Sequence, residues 1–259
     1  MKVTWFGNAS ILIEAAGERI LFDPFVQLRG GGNPNSLDDF IHETSLCITH
    51  GHLDHLMTAA EFLDKGTEGE ATVYCGSVAA HTLEEQGFEG SNMVLVKPGM
   101  KWKIGDVRME AFTAGHVQFG WKRKWGLLRG GRIFRYFWNA LFLASAGKFF
   151  SEGNETFLYE LTAEGKRVQI MGSLALDPQV SYESGADLLV LPLEGKGLEE
   201  QALAIVERLL PKGILLDHFD DAFPPVSSAT DPGKLLRMLE ERYPEILVTI
   251  PEAGKTMVL

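Results

Sequence analysis

Within His50-Gly51-His52-Leu53-Asp54-His55, three of the chain's seven histidines and an aspartate fall inside six residues. Imidazoles and a carboxylate at this density suit a borderline divalent cation such as zinc, with manganese or another divalent metal as alternatives. A histidine-rich polar loop is the plain alternative, but clusters at ligand spacing are rare without a metal. The apolar run 45–49 reads as a strand leading into the motif, and a helix is expected to start near Leu56. The motif would then occupy a strand-to-helix turn.

Two other histidines end strand-like runs. Residues 107–113 read as a strand that delivers Gly115-His116, where the glycine lets the backbone turn. Residues 213–217 read as a buried strand that delivers His218, with Asp220 and Asp221 just beyond. His81 lies inside a helix expected from Ser77 to about Gly87 and reads as structural or exposed. Cys47, near the motif, lies within an apolar run and reads as a small core residue rather than a ligand.

The elements around these residues alternate between strands and helices. Residues 10–14 and 19–23 read as strands about a turn at Gly17, and 156–161 and 167–171 as a hairpin. The apolar run 187–192 has the pattern of a strand covered on both faces. Helices are expected over 198–210 and from Asp231-Pro232 to about Arg242. Gly30-Gly31-Gly32 reads as a connection or a flap, and no phosphate-loop lysine follows it.

The 259 residues are 45% hydrophobic and 23% charged, which is ordinary globular composition. Two lone cysteines build no disulfide framework, no signal-peptide segment opens the chain, and no run reaches membrane-spanning length. A cytoplasmic location is the expectation. The formal net charge of −11 argues against nonspecific nucleic-acid binding.

That charge is uneven. Residues 121–150 hold nine of the 26 aromatics and seven basic residues (Lys122, Arg123, Lys124, Arg129, Arg132, Arg135, Lys148), with no acidic ones. The remainder therefore carries 17 basic against 35 acidic residues. Ile133, Phe134, Phe137, Trp138, Leu141 and Phe142 recur at helical spacing as one apolar stripe, with Arg132, Arg135 and Asn139 off it. A single domain over 1–259 with an insertion at about 121–150 is expected. The insertion could cap the cleft, pack on the domain or a second subunit as a homo-oligomer contact, or touch a membrane surface weakly.

The order His50-Gly51-His52-Leu53-Asp54-His55, Gly115-His116, Asp217-His218 resembles the metallo-β-lactamase-fold superfamily. Gly7-Asn8-Ala9-Ser10, Phe22-Asp23-Pro24 and Leu191-Pro192-Leu193 make it look most like that superfamily's lactonase-like, metal-dependent hydrolases. The resemblance implies an α/β fold of the αββα sandwich type with the metal site at one sheet edge. It assigns His50, His52 and His116 to one ion and Asp54, His55 and His218 to a second. At two positions the sequence departs from the pattern. Gly172-Ser173 stands where relatives carry a glycine-aspartate pair whose aspartate bridges the metals, with Asp177 four residues on as a conceivable replacement. Asn8 stands where lactonase-like relatives often have histidine. Asp23 is a candidate second carboxylate behind a ligand histidine, and a turn-forming Asp-Pro otherwise.

The expected activity is hydrolysis by a metal-bound hydroxide steered by Asp54, on an ester, lactone or phosphodiester. The insertion suggests a small-molecule or lipid-like substrate, bulky and partly anionic. The competing expectation is a nonhydrolytic metal-binding or scaffold protein with a degraded second metal site.

Overall fold

The computed structural model describes residues 1–40, 42–65, 71–88, 92–117, 131–195 and 197–259. Two seven-stranded sheets form its centre. The first holds β1 (Lys2–Trp5), β2 (Ile11–Ala15), β3 (Glu18–Phe22), β4 (Ser45–Cys47), β5 (Thr72–Cys75) and β6 (Met93–Leu95), in that spatial order, with β14 (Thr256–Val258) beside β1. The second runs β7 (Lys101–Ile104), β8 (Val107–Ala114), β9 (Thr156–Ala163), β10 (Lys166–Met171), β11 (Leu188–Pro192), β12 (Gly213–Asp217) and β13 (Leu247–Thr249). Each sheet is antiparallel at one end and parallel at the other: β3 to β6 and β10 to β13 pair in parallel.

Strand periodicity explains the layering. Ile11, Ile13, Ile20 and Phe22 face a central core shared with Val168, Ile170, Val190 and Leu215 of the other sheet. The intervening residues point outward. Leu12, Leu21 and Leu46 meet Leu56 and Ala59 of α1 (Leu53–Lys65) and Leu83 of α2 (Ser77–Glu85). Leu189, Leu191, Ile214 and Leu216 meet α5 (Glu199–Leu209) and α6 (Gly233–Arg242), through Leu203, Val206 and Leu235. Side chains alternate faces along a strand, so a strand apolar throughout must be covered on both sides. β11 and β12, buried at every position, are such strands. The result is the expected αββα sandwich.

Three details differ from the sequence expectations. The helix after the histidine motif begins at Leu53 rather than Leu56, because the His52 carbonyl accepts from the N–H groups of His55 and Leu56. Asp54 and His55 therefore stand on its first turn. β7, whose Lys101-Trp102-Lys103-Ile104 is too charged to read as a buried run, pairs with β8 at the sheet edge. The third difference concerns the basic aromatic excursion.

Residues 118–130 of that excursion, with Lys122, Arg123, Lys124 and Arg129, lie outside the described residues. The rest forms α3 (Arg132–Arg135), a one-turn helix, then α4 (Phe137–Ala146), with Tyr136 at φ −113° and ψ 37° breaking the register between them. The stripe was left open to a cap, a packing face or a membrane contact. It faces out: Phe134 is 86% exposed and Trp138 75%. The anchoring side is the polar one. Arg132 pairs with Asp221 at 2.5 Å, and Asn139 Nδ2 donates to the carbonyls of Arg29 and Pro224. Leu143 and Ala146 add apolar contact to Phe25, Leu53 and Ala222. The break at Tyr136 rotates the two helices out of the single-helix register that the stripe presumed.

No helix among the described residues is long and apolar enough to cross a membrane.

Candidate metal centre

The six residues named from the motif order converge in two triplets. Donor atoms of His50, His52 and His116 lie within 4.8 Å of one another, and so do those of Asp54, His55 and His218. Four elements bring them together, with His52 in the turn between the first two. The β4 end presents Thr49 and His50, α1's first turn presents Asp54 and His55, and the ends of β8 and β12 present His116 and His218 from the other sheet. His218 holds φ +56°, a left-handed conformation, with its N–H bonded to the Asn8 carbonyl. Gly51 leaves room for the Ser151 carbonyl, which a Cβ there would meet at 2.3 Å.

The hydrogen bonds behind the rings decide which nitrogens face inward. Thr49 Oγ1 donates to Asp23 Oδ2 at 2.6 Å, so it accepts from His50 Nδ1 at 3.0 Å. His55 Nδ1 donates to Asp23 Oδ2 at 2.8 Å, and His116 Nδ1 to the Val117 carbonyl at 3.0 Å. His52 is reversed: its Nε2 donates to Glu152 Oε2 at 3.0 Å. Carboxylates and carbonyls only accept, so each of these rings keeps its lone pair on the other nitrogen.

The facing atoms are spaced as the ligands of a cation are. His50 Nε2 and His52 Nδ1 face each other at 3.1 Å, His55 Nε2 and His218 Nε2 at 3.3 Å, and Asp54 Oδ2 and His218 Nε2 at 3.2 Å. Donors at ~2.0–2.1 Å from zinc in tetrahedral array lie roughly 3.3 Å apart. His50 Nε2 and His52 Nδ1, which both keep lone pairs, repel at such a distance unless a positive charge lies between them, whereas at the second triplet His218 shares a proton with Asp54 that a cation would replace. The donor set therefore fits divalent metal at both triplets.

The electrostatics of the two triplets differ. Burial, with the neighbouring rings, holds His50 well below the ordinary histidine value, and burial lowers His52. Burial would also lower His218, but Asp54, Glu194 and Asp217 outweigh it and push His218 up to about 10. His55 is likewise raised, burial being outweighed by Asp23 and Asp54. Burial opposes ionisation of Asp54, yet His55, His218 and His52 hold it well below the usual carboxylate range.

The other residues singled out in the sequence take different places. Asp23 stands behind His55 and also accepts from Thr49 N at 2.8 Å. Asn8 Nδ2 donates to the Asp54 carbonyl and to Asp54 Oδ2, and its buried Oδ1 has no protein partner. Ser173 is fully buried and its Oγ accepts from Val117 N at 3.1 Å, which secures the segment carrying His116. Asp177 is not brought to the site; its Oδ1 accepts from Gln179 N within its own turn. Asp220 accepts from Asn8 N, Gln27 Nε2 and Asn33 Nδ2, so it ties the glycine-rich loop rather than His218. That loop is pinned too by Gly32 N on the Asp221 carbonyl, and a Cβ on Gly30 would meet the Tyr136 ring at 2.7 Å. His81 is exposed and pairs with Glu85, and Cys47 and Cys75 are buried and free. Thr49 and Glu152 carried no signal in the sequence: a threonine ending a strand and a glutamate in a turn are ordinary.

Two mixed sheets between helical layers, with histidine-rich triplets at one edge, define a protein of the metallo-β-lactamase fold. Residues 2–216 match the family model of the β-lactamase superfamily domain, and the chain belongs to that superfamily. A UPF0173 metal-dependent hydrolase of Methanopyrus kandleri is 26% identical over 265 residues, covering 99% of each chain. A UPF0173 metal-dependent hydrolase of Chelativorans is 35% identical over 103 residues, a match that spans 38% of this chain and 40% of that protein. Among solved structures, Igni18, a metallo hydrolase from Ignicoccus hospitalis, superposes with a TM-score of 0.69 at 20% identity, covering 99% of this chain and 97% of that one. The curated relatives it resembles are named metal-dependent hydrolases.

Proposed function

We propose that the protein hydrolyses an ester, lactone or phosphodiester of a bulky, partly anionic, lipid-like molecule, with zinc as the metal at both triplets. His50, His52 and His116 would hold one ion, and Asp54, His55 and His218 the other. When bound, such ions lower the pKa of water to about 7 and polarise the scissile carbonyl or phosphoryl oxygen. The chain's own groups set the geometry. The Asp54 carboxylate, kept ionised and with Oδ2 fixed by the Asn8 amide at 3.3 Å, would orient the attacking water through whichever oxygen does not serve as ligand.

The observation that carries the substrate reading is how the excursion is fastened. Arg132 reaches Asp221, three residues past His218 in sequence, and Glu152, two residues beyond the excursion, reaches His52 of the first triplet. Between the anchors it presents Phe134, Phe137, Trp138 and Leu141 outward, with Arg135 and Lys148 nearby in sequence. A rim of aromatics and guanidinium groups suits an acyl chain beside an anionic group. The same surface is suited to weak contact with an anionic membrane, and to contact between copies. The acidic remainder of the chain opposes a nucleic-acid substrate.

The test is hydrolysis of zinc-loaded protein on ester series of increasing acyl length, with and without chelator. Turnover that survives complete metal removal sinks the metal mechanism. A kcat/KM that does not rise with acyl length, or that is unchanged by the double substitution Phe134→Ser and Trp138→Ser, sinks the lipid-like substrate while leaving the hydrolase intact.

A further inference from the structure

We propose that Glu152 is a positioning residue that selects the histidine tautomer of the first metal site. The inference rests on the reading of His50, His52 and His116 as one metal site. Of the three rings, His52 alone turns its Nδ1 toward a partner ligand, His50 Nε2 at 3.1 Å; His50 and His116 have Nδ1 occupied on the outside. A ring that must offer Nδ1 needs its proton on Nε2. Glu152 Oε2, 3.0 Å from that Nε2, accepts the proton and admits no other arrangement, because a carboxylate has no proton to give.

The need for this contact is greatest at His52. His50 and His55 are almost fully buried and held by packing, whereas the His52 side chain is 32% exposed. Without an outer partner its ring could turn and bond to water through either nitrogen. Glu152 is itself held. Its carbonyl accepts from Glu155 N at 2.8 Å, Gly153 N bonds Ser151 Oγ at 3.1 Å, and the Ser151 carbonyl sits against Gly51 of the motif. Glu152 is not among the donor atoms that converge in the triplet, so its role is to orient and polarise rather than to ligate. A negative partner behind a neutral imidazole also raises the basicity of the inner nitrogen. The segment that supplies Glu152 is the return from α4 to β9, so the first site is completed by that connection rather than by the two sheets alone.

The experiment is titration of the metal-free full chain with Co2+, following stoichiometry, dissociation constants and the visible cobalt spectrum. Glu152→Ala is expected to weaken the first site by about 10–100-fold and to alter its spectrum, with the second site unchanged. Glu152→Gln, whose carbonyl oxygen still accepts from Nε2, is expected to restore the spectrum and most of the affinity. An alanine variant that binds both ions with wild-type constants and spectrum overturns the proposal. So does one that weakens both sites equally, which marks a purely structural residue. Wild-type protein that takes up no ion at the three histidines instead defeats the metal-site reading itself, a result distinct from either.

Discussion

Asp23 Oδ2 lies 2.8 Å from His55 Nδ1 and 2.6 Å from Thr49 Oγ1, so one buried carboxylate oxygen stands behind both candidate metal triplets. It bonds His55 of the second directly and reaches His50 of the first through the threonine hydroxyl. The backbone at Asp23 holds φ +43°, and its other oxygen takes Thr49 N.

Replacing Asp23 with alanine removes the acceptor for three buried donors. Breaking a buried ion pair on one side costs roughly 3–5 kcal/mol, and loss of a carboxylate behind a ligand histidine lowers metal affinity about 10–100-fold. Asp23→Ala should therefore lower the unfolding midpoint in urea and weaken both ions. Wild-type affinity at either triplet would contradict the shared role.

Metal uptake should depend on pH differently at the two triplets. In the metal-free protein His218, raised from 6.5 to about 10, carries its proton at neutral pH, and His55 is raised in the same direction. A raised histidine adds stability that is complete below its unfolded value and is lost as pH rises through the folded one. Metal-free protein should thus lose stability between pH 6.5 and about 10 through His218. A metal must displace those protons, so affinity at the Asp54 triplet should fall about tenfold for each pH unit of acidification and each proton released. His50 and His52, lowered by burial, are already neutral at pH 7. Calorimetric titration in buffers of different ionisation enthalpy should show more protons released by the second triplet than by the first.

Gly172 has a steric reason to be glycine. A Cβ there would stand 2.4 Å from Thr49 Cβ and Oγ1. Gly172→Ala should push the threonine off Asp23 and His50, destabilising the fold by about 1–3 kcal/mol as overpacking does. The first metal site should weaken with it. An alanine variant with unchanged thermal unfolding and unchanged metal affinity would refute the steric argument.

Trp138, at 75% exposure, offers a separation of stability from function. Trp138→Ala should change folding stability by no more than about 0.5 kcal/mol, as for other exposed positions. Its effect should appear on long-chain substrates as a raised KM. Equal loss on short and long substrates would assign the residue to folding instead.

Much of the architecture was legible in the chain because both sheets are covered on two faces. Runs such as 187–192 and 213–217 are apolar almost throughout, and a strand of that kind is stable only between two covering layers. The edge strand β7 was not legible, since Lys101 and Lys103 face solvent. Helix periodicity misled at residues 131–150. A regular stripe implied one helix, but Tyr136 divides the segment and the contacts run through Arg132, Asn139 and Leu143.

The motif spacing by itself marked His50, His52, Asp54 and His55 as candidate ligands, because imidazoles and carboxylate at that density have few other uses; His116 and His218 joined them through their places at strand ends and the family resemblance. Tertiary structure decided the rest. Only the fold places Asp23, Thr49 and Glu152 behind the rings, so only the fold selects which nitrogen of each histidine is free. It also gave position 173 a different occupation: Ser173 spends its hydroxyl on Val117 N and supplies no carboxylate to bridge the triplets. Spacing along a chain reports which side chains can be neighbours; the direction of a lone pair depends on partners as much as 100 residues away, as from His52 to Glu152.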